Sequence, residues 1–311
     1  MAKTTKSQAK TNSKAAEKPT KTTASAAATE TSVSRSRLAK NDRSSLFSIT
    51  KVLAELLGTF ILTLVVIAAV SGNMTLGLFA TPEQTELAAQ SGQLAPAFAI
   101  TPFLASFALG ALVLIFGKAA WGHFNPAISL AALAIRRVKP VEAAAAMIGQ
   151  VLGAMLALVV SLRLFDMVDY KAMQAAAQSS GNSELVYKGL DPMQLFAHTT
   201  SWTLFSAELI GAAIFAFGIA SLVAHGRSSL TRSVIAGSSL LLGAAVAAAA
   251  GAGVLNPAVA LGLGLVGFGE NAGQIWSLIG IYVAAPIIGA VIGMALYRLV
   301  GRQTEEDSAT A

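Results

Sequence analysis

The chain has 311 residues, of which 54% are hydrophobic and only 12% are charged, and its mean hydropathy is +0.64. A soluble domain carries about 25% charged residues, so this composition favours a protein with several membrane spans over a soluble globular one. The chain contains no cysteine, which excludes disulfide bonds and thiol catalysis.

The net charge of +6 resides in the N-terminal tail. Residues 1–45 hold ten Lys and Arg against three acidic residues, whereas the rest of the chain holds 12 basic and 13 acidic groups. The tail has no apolar run before Leu46, so it lacks the core of a secretory signal, and we predict that it is disordered. Alternatively, the tail contacts anionic lipid head groups or acts as an organelle transit peptide. Nucleic-acid binding is not predicted, because no aromatic residue lies among the lysines.

Six apolar segments follow the tail, each near the roughly 20 residues that a helix needs to cross a bilayer. Two shorter apolar segments begin with Asn-Pro-Ala and are too short to span, so we predict re-entrant half-helices there. The predicted spans are about 50–71, 98–117, 140–164, 201–224, 233–252 and 273–299, and the predicted half-helices are 125–135 and 256–267.

Lysine and arginine residues collect on one side of this six-span arrangement, which the positive-inside rule assigns to the cytoplasm. The loops on the other side, at 72–97 and 165–200, are acidic on balance, and Arg163 is the exception to the pattern. Both termini are therefore predicted to be cytoplasmic. The basic positions are the tail, Lys118, the RRVK run at 136–139, Arg227, Arg232, Arg298 and Arg302.

The two halves of the membrane region repeat one another. AELLGTF at 54–60 recurs as AELIGAAIF at 207–215, and GHFNPAISLA at 122–131 recurs as GVLNPAVALG at 253–262. More faintly, GQVLGAMLA at 149–157 matches APIIGAVIG at 285–293, where the glycines indicate close helix packing. Because each half has three spans, the repeat is inverted, which places a functional site at the midplane.

The predicted fold class is an all-α membrane protein with six transmembrane helices and two re-entrant half-helices in an inverted repeat. The predicted divisions are the tail at 1–45, a membrane domain at 46–300 and a C-terminal tail at 301–311. Within the domain, the repeats cover about 48–165 and 200–300.

The two Asn-Pro-Ala motifs carry the chemistry of the predicted site. Asparagine at the N-cap of a helix satisfies backbone N–H groups with its side-chain oxygen, and proline at the first helical position loses no hydrogen bond. If the half-helices enter from opposite faces, their asparagine amides meet near the bilayer centre and can point into a shared channel. The positive ends of both helices then oppose cations and a proton wire. The motif residues are Asn125, Pro126, Ala127, Asn256, Pro257 and Ala258.

These residues resemble the aquaporin (major intrinsic protein) family over about residues 48–300. Besides the paired motifs, the resemblance rests on the Ala-Glu pairs ending in Glu55 and Glu208, on His123, and on AAPIIGA at 284–290. It implies six tilted helices, two half-helices, one pore per protomer and usually a homotetramer. No cofactor is predicted.

In that family the matching glutamates brace the re-entrant loops by accepting backbone hydrogen bonds, which the resemblance implies for Glu55 and Glu208. An ionisable group inside an apolar helix is costly and usually functional. Glu55 lies nearer a helix end, where partial snorkelling to the surface is an alternative. His123 is interpreted as a loop-packing residue, and no metal site is predicted from three scattered histidines.

The sequence departs from the family after the second motif. Water-selective aquaporins resemble one another in an arginine directly after that motif, and glycerol channels add an aspartate, but here Val259 and Ala260 follow. Ungapped alignment from the motifs places the other constriction residues at Ala105, Ala244 and Gly253, or at Phe107 in place of Ala105 if a two-residue slip is allowed. This constriction of Ala105, Ala244, Gly253 and Val259 is small and apolar, which predicts a wide and weakly selective filter, or one that dewets and closes.

We therefore predict a passive channel for water and small uncharged solutes, without catalytic residues. It is expected in the cytoplasmic (plasma) membrane, in contact with membrane lipids. The alternatives are a channel for glycerol, urea or ammonia with little water selectivity, and a non-conducting structural membrane protein. An intramembrane enzyme and an ion-coupled transporter are disfavoured, because the spans hold almost no ionisable groups beyond the two glutamates.

Overall fold

The computed structural model describes residues 49–70, 95–117, 120–166, 201–223, 228–248, 253–265 and 272–310, and the structural statements below refer to these residues. The chain divides into Met1–Phe47 and Ser48–Ala311, and all the described residues belong to the second unit. The predicted basic tail at 1–45 and nearly all of the two acidic loops lie outside the described residues.

The described part of the chain is helical throughout, apart from short turns and the two irregular loops that precede Asn125 and Asn256. Five of its helices are long and apolar enough to cross a membrane, and Ile100–Phe116 is a shorter apolar helix. A 3-10 turn, Ser221–Val223, follows the helix Ser201–Ala220, and a π-helical stretch, Gly280–Ala284, joins the last two helices. The helices are α1 Ile49–Val70, α2 Ala95–Phe116, α3 Pro126–Ala134, α4 Pro140–Asp166, α5 Ser201–Ala220, α6 Ser229–Ala248, α7 Pro257–Gly262, α8 Ala272–Ile279 and α9 Ala285–Thr310.

The predicted all-helical membrane fold is confirmed, but two helix bounds differ because local caps decide them. Helix α6 begins at Ser229 rather than near 233, since the Ser228 hydroxyl accepts the Thr231 N–H at 3.1 Å. Helix α7 ends at Gly262 rather than near 267. The chain there turns through Gly264 at φ +73°, and the Gly264 and Leu265 N–H groups bond back to carbonyls of the helix.

The last spanning segment, predicted at about 273–299, contains a π-helical stretch between two α-helices. Pro286 has no N–H to donate to the carbonyl of Tyr282, and the Ala285 N–H donates to the Gly280 carbonyl, five residues back. The wide turn at Gly280–Ala284 therefore accommodates the proline inside the span. Helix α9 then continues to Thr310.

Glycines bring the spanning helices close together at matching places in the two halves. A Cβ at Gly153 of α4 would overlap the Leu56 carbonyl of α1, and a Cβ at Gly289 of α9 would overlap the Leu209 carbonyl of α5. The two halves also join through α2 and α6, where the Ser233 hydroxyl donates to the Gly110 carbonyl at 2.6 Å. Small residues at helix crossings are the packing mode of membrane helices.

Helix α1 separates an outer apolar face from an inner polar one. Its outer row of large apolar side chains is exposed to between 39% and 57%, whereas Glu55, Thr59 and Thr63 on the other side are fully buried. The spacing of four residues within the row keeps these side chains on one face of the helix. Such a face suits contact with lipid or with another membrane protein rather than water. The row is Ile49, Leu53, Leu57 and Ile61.

Candidate pore site

The two Asn-Pro-Ala motifs each start a half-helix. Asn125 is the N-cap of α3, and its Oδ1 accepts the Ala127 N–H at 2.8 Å. Asn256 is the N-cap of α7, and its Oδ1 accepts the Ala258 N–H at 3.0 Å and the Val259 N–H at 3.4 Å. With nine and six residues, the two helices reach only about 14 and 9 Å, so neither crosses a hydrocarbon core of about 30 Å.

The two asparagines tie the half-helices together. Asn125 Nδ2 donates to the Leu255 carbonyl at 2.9 Å, and Asn256 Nδ2 donates to the Phe124 carbonyl at 2.9 Å. Each amide therefore bonds to the residue that precedes the other asparagine. We expected both amides to point into a shared channel. The structure instead commits one N–H of each to this cross-link, which leaves the second N–H of each NH₂ group outside these bonds.

The carbonyls that accept these bonds belong to residues in an unusual backbone conformation. Phe124 has φ +46° and Leu255 has φ +54°, in the left-handed region that residues other than glycine rarely adopt. Such residues are strained and persist where the surroundings over-determine them. Gly122 at φ +76° and Gly253 at φ +118° stand two residues before them and complete the same turn in both halves.

Two buried glutamates hold these strained loops. Glu55 Oε1 accepts the N–H groups of Gly122 at 2.7 Å and His123 at 3.1 Å, and its Oε2 accepts that of Phe124 at 2.8 Å. Glu55 is fully buried, so the snorkelling alternative is wrong. The backbone N–H groups of a re-entrant loop need internal acceptors because the hydrocarbon offers none.

Glu208 has the same arrangement in the second half. Its Oε1 accepts the N–H groups of Gly253 at 2.7 Å and Val254 at 2.8 Å, and its Oε2 accepts that of Leu255 at 2.7 Å. Like Glu55, it is fully buried. Three donors on one side chain fit an ionised carboxylate, which only accepts. The repeat read from the sequence is thus present atom by atom around both glutamates.

The first half adds a polar network around Glu55 that involves Gln150, Ser129 and His123. Gln150 Nε2 donates to Glu55 Oε2 at 2.7 Å and to the Ser129 hydroxyl at 3.0 Å. That hydroxyl also lies 3.0 Å from His123 Nδ1, so the histidine packs within the loop. At the matching positions of the second half the repeat has Pro286 and Ala260 in place of Gln150 and Ser129.

Three of the four predicted constriction residues belong to or pack against one buried apolar cluster, and the fourth lies against Ala244. Val259 is 3% exposed and Ala244 is 1% exposed in one buried apolar cluster, and Ala105 packs against that cluster. A Cβ at Gly253 would come within 2.9 Å of the Ala244 carbonyl, which places the loop against α6. The alternative residue Phe107 is 70% exposed in the outward row of α2, so it does not face this cluster.

Comparison with known proteins decides the family. The family model described as Major intrinsic protein matches residues 41–297. The chain belongs to the major intrinsic protein family. Members of this family are membrane channels rather than enzymes, and this major intrinsic protein is an integral multi-pass membrane protein. The prediction of a passive channel for water and small solutes is confirmed at that level.

Individual relatives agree with the family. The chain is 26% identical over 259 residues to Glycerol uptake facilitator protein-like 6 of Lactiplantibacillus plantarum, covering 81% of this chain and 99% of the relative. It is 30% identical to Nodulin-26 of Glycine max over 62% of both chains. It is also 30% identical to Aquaporin NIP1-1 of Arabidopsis thaliana, over 80% of this chain and 73% of the relative.

A solved structure shows the same fold. The X-ray structure of the aquaglyceroporin from Plasmodium falciparum matches this major intrinsic protein with a TM-score of 0.54. The match covers 80% of this chain and 95% of that one, at 18% sequence identity. At that identity the likeness concerns the fold alone.

Three contributors to the site were not singled out from the sequence of this major intrinsic protein. Gln150 and Ser129 extend the bonding of Glu55, and Arg298 Nη1 donates to the Ile135 carbonyl at the end of α3, at 3.1 Å. Gln150 had a usable signal, since it is an amide side chain in the middle of an apolar span. Arg298 had none, because nothing local indicates which carbonyl its long side chain reaches.

Proposed function

We propose that water and small uncharged solutes cross this protein between its two half-helices, past Asn125 and Asn256. The observation that carries the proposal is the reciprocal cross-link, in which each asparagine caps its own half-helix and bonds to the loop of the other. This arrangement fixes two amide groups at the junction of the half-helices. Each retains a second N–H hydrogen to offer a passing solute.

The same junction opposes ions. The positive ends of α3 and α7 meet at the asparagines, and a cation there encounters the N-terminal partial charge of both helices. Both buried glutamates direct their carboxylate oxygens at backbone N–H groups of the two loops, so these oxygens are not free to bind a passing cation. Uncharged molecules are therefore the class that the junction admits.

The constriction sets which neutral molecules pass. Ala105, Ala244, Gly253 and Val259 offer neither a fixed cation nor a side-chain donor, so the filter does not select for water by charge or by hydrogen bonding. We therefore propose that solutes of the size of glycerol and urea pass along with water. The relative whose name includes glycerol uptake, similar over nearly its whole length, supports this choice.

We place the channel in the cytoplasmic (plasma) membrane as a homotetramer in contact with lipid, with both termini in the cytoplasm. Lys51 and Arg137 lie at helix ends, and Arg298 lies near the end of the last apolar span, on the same side of the six-span arrangement. The opposite ends carry the exposed Trp202 and Trp276, which suit an interface with head groups. The helices expose many large apolar side chains, which suit contact with lipid and with neighbouring protomers.

The test is light-scattering volume relaxation of proteoliposomes in gradients of water, glycerol and urea, comparing the parent with Val259→Arg. An arginine at the buried Val259 narrows the filter and adds charge, so glycerol and urea flux should fall more than water flux. Leu230→Arg is the matched control, since Leu230 is 62% exposed at the start of α6. A parent that passes water yet excludes glycerol and urea as strongly as Val259→Arg would refute the wide filter.

A further inference from the structure

The two half-helices end in the same turn but with different residues in it. In α7 the left-handed position is Gly264 at φ +73°, and in α3 it is Arg136 at φ +59°. Arg136 N–H donates to the Leu133 carbonyl at 2.9 Å and Arg137 N–H to the Ala132 carbonyl at 2.8 Å, which is the usual pattern of a glycine cap. Glycine fits this position without strain, whereas any residue with a Cβ is strained there. Backbone geometry therefore does not explain the arginine.

Three more cations belong to the same end of α3 as Arg136. Arg137 and Lys139 follow it and are exposed, and Arg298 reaches across from α9 to the Ile135 carbonyl at 3.1 Å. The nearest acidic residue along α4, Glu142, accepts the Lys139 backbone N–H at 3.1 Å and caps the start of that helix. We call Arg136, Arg137, Lys139 and Arg298 the basic patch.

The basic patch lies where the apolar surface of the protein ends. Val141 in the first turn of α4 is 79% exposed, and Leu299 and Val300 next to Arg298 are 61% and 51% exposed. Cations directly beside exposed apolar side chains mark the boundary between hydrocarbon and head groups. A phospholipid presents the complementary pair, an acyl chain for the apolar side chains and a phosphate for the guanidinium groups.

We propose that the basic patch binds the phosphate head group of an anionic phospholipid and that this contact steadies the first half-helix. Arg298 and Arg136 are both anchored to the last turn of α3, through the Ile135 carbonyl and the backbone itself. An anion between the cations relieves their mutual repulsion and holds that turn in place. The other end of α3 carries Asn125, about 14 Å away. The effect on flux rests on the proposed function, whereas the binding does not.

The binding test uses the purified full-length protein in detergent, titrated with phosphatidylglycerol or phosphatidylcholine and followed by native mass spectrometry. Arg136→Gly removes the charge while supplying the residue that the turn favours, so the fold is preserved and its thermal midpoint should not fall. We expect the parent to prefer phosphatidylglycerol and the variant to bind it about fivefold more weakly, the factor for one cation at an anionic surface. Arg163→Gln, at the opposite end of α4, is the control and should bind like the parent.

If the double variant Arg136→Gly/Arg298→Gln binds phosphatidylglycerol as strongly as the parent does, the proposal is overturned. Displacement of the lipid by millimolar inorganic phosphate would also overturn it, because the site would then be one for free phosphate. In proteoliposomes, phosphatidylglycerol should change water flux through the parent but not through Arg136→Gly. If binding is lost in the variants but flux never depends on the lipid, the steadying of α3 is wrong. If no variant conducts, the proposed function fails and the binding result still stands.

Discussion

Replacing Glu208 by glutamine should destabilise the second re-entrant loop and lower the stability of the folded protein. The carboxylate accepts three backbone N–H groups at 2.7–2.8 Å and is fully buried. In Glu208→Gln the amide oxygen can still accept the Gly253 and Val254 N–H groups, but the amide nitrogen then faces the N–H of Leu255. Two donors oppose each other there, and Leu255 is buried in a strained conformation where water cannot replace the lost acceptor.

The size of the effect follows from these bonds. A buried N–H without an acceptor costs about 1–3 kcal/mol, and two charge-assisted bonds that become neutral lose about 1 kcal/mol each. The total of about 3–5 kcal/mol corresponds to a fall in the thermal midpoint on the order of 10 °C for a domain of this size. Thermal unfolding of the detergent-solubilised protein, followed by tryptophan fluorescence, measures it.

Glu142→Gln is the matched control for this prediction. Glu142 is partly exposed and accepts a single backbone N–H at 3.1 Å, so its replacement should shift the midpoint only slightly. If Glu208→Gln melts within about 2 °C of Glu142→Gln, the carboxylate does not hold the loop and the bracing argument is wrong. Folded Glu208→Gln should also conduct less, because the loop that carries Leu255 and Asn256 is loosened.

Two further predictions concern ion exclusion and helix packing. Asn256→Asp puts a negative charge where the half-helices meet and removes the donor to the Phe124 carbonyl. Cation leakage in planar bilayers should therefore rise. An unchanged ionic conductance would count against the role of the helix ends. Gly293→Ala places a methyl group against the Ala213 carbonyl of α5 and should destabilise the folded protein by about 1–3 kcal/mol. Gly280→Ala in the same spanning segment meets open space and should leave the stability unchanged. Equal thermal midpoints of the two variants would disprove the close packing of α5 and α9.

The sequence determined much of this architecture because its strongest signals are local. Asparagine as a cap and proline at the first helical position specify the start of each half-helix, and the structure has both starts where the motifs are. The glutamates could be found because an acid inside an apolar span demands a partner. The inverted repeat then supplied the pairing of the two halves.

What the sequence did not reveal depends on contacts between distant parts of the chain. The positive φ of Phe124 and Leu255 is held by two distant contacts of each residue. Its N–H donates to a buried glutamate, and its carbonyl accepts from the asparagine of the other half. A proline inside a helix can cause either a kink or a π-helical stretch, and the packing of the last span decides which of the two precedes Pro286. The early end of α7 was decided by Gly264, whose capping role competes with an apolar run that favours a longer helix.

Cysteine accessibility tests the central claim most directly, because the native chain has no cysteine. Val259→Cys changes little volume at the predicted constriction, and Leu242→Cys places the same thiol on the outer face of α6, where Leu242 is 62% exposed. If solutes pass Val259, a small water-soluble thiol reagent should block flux of water and glycerol into proteoliposomes bearing Val259→Cys and leave Leu242→Cys unaffected. Full labelling of Val259→Cys with unchanged flux would show that the path does not run between the half-helices at this residue.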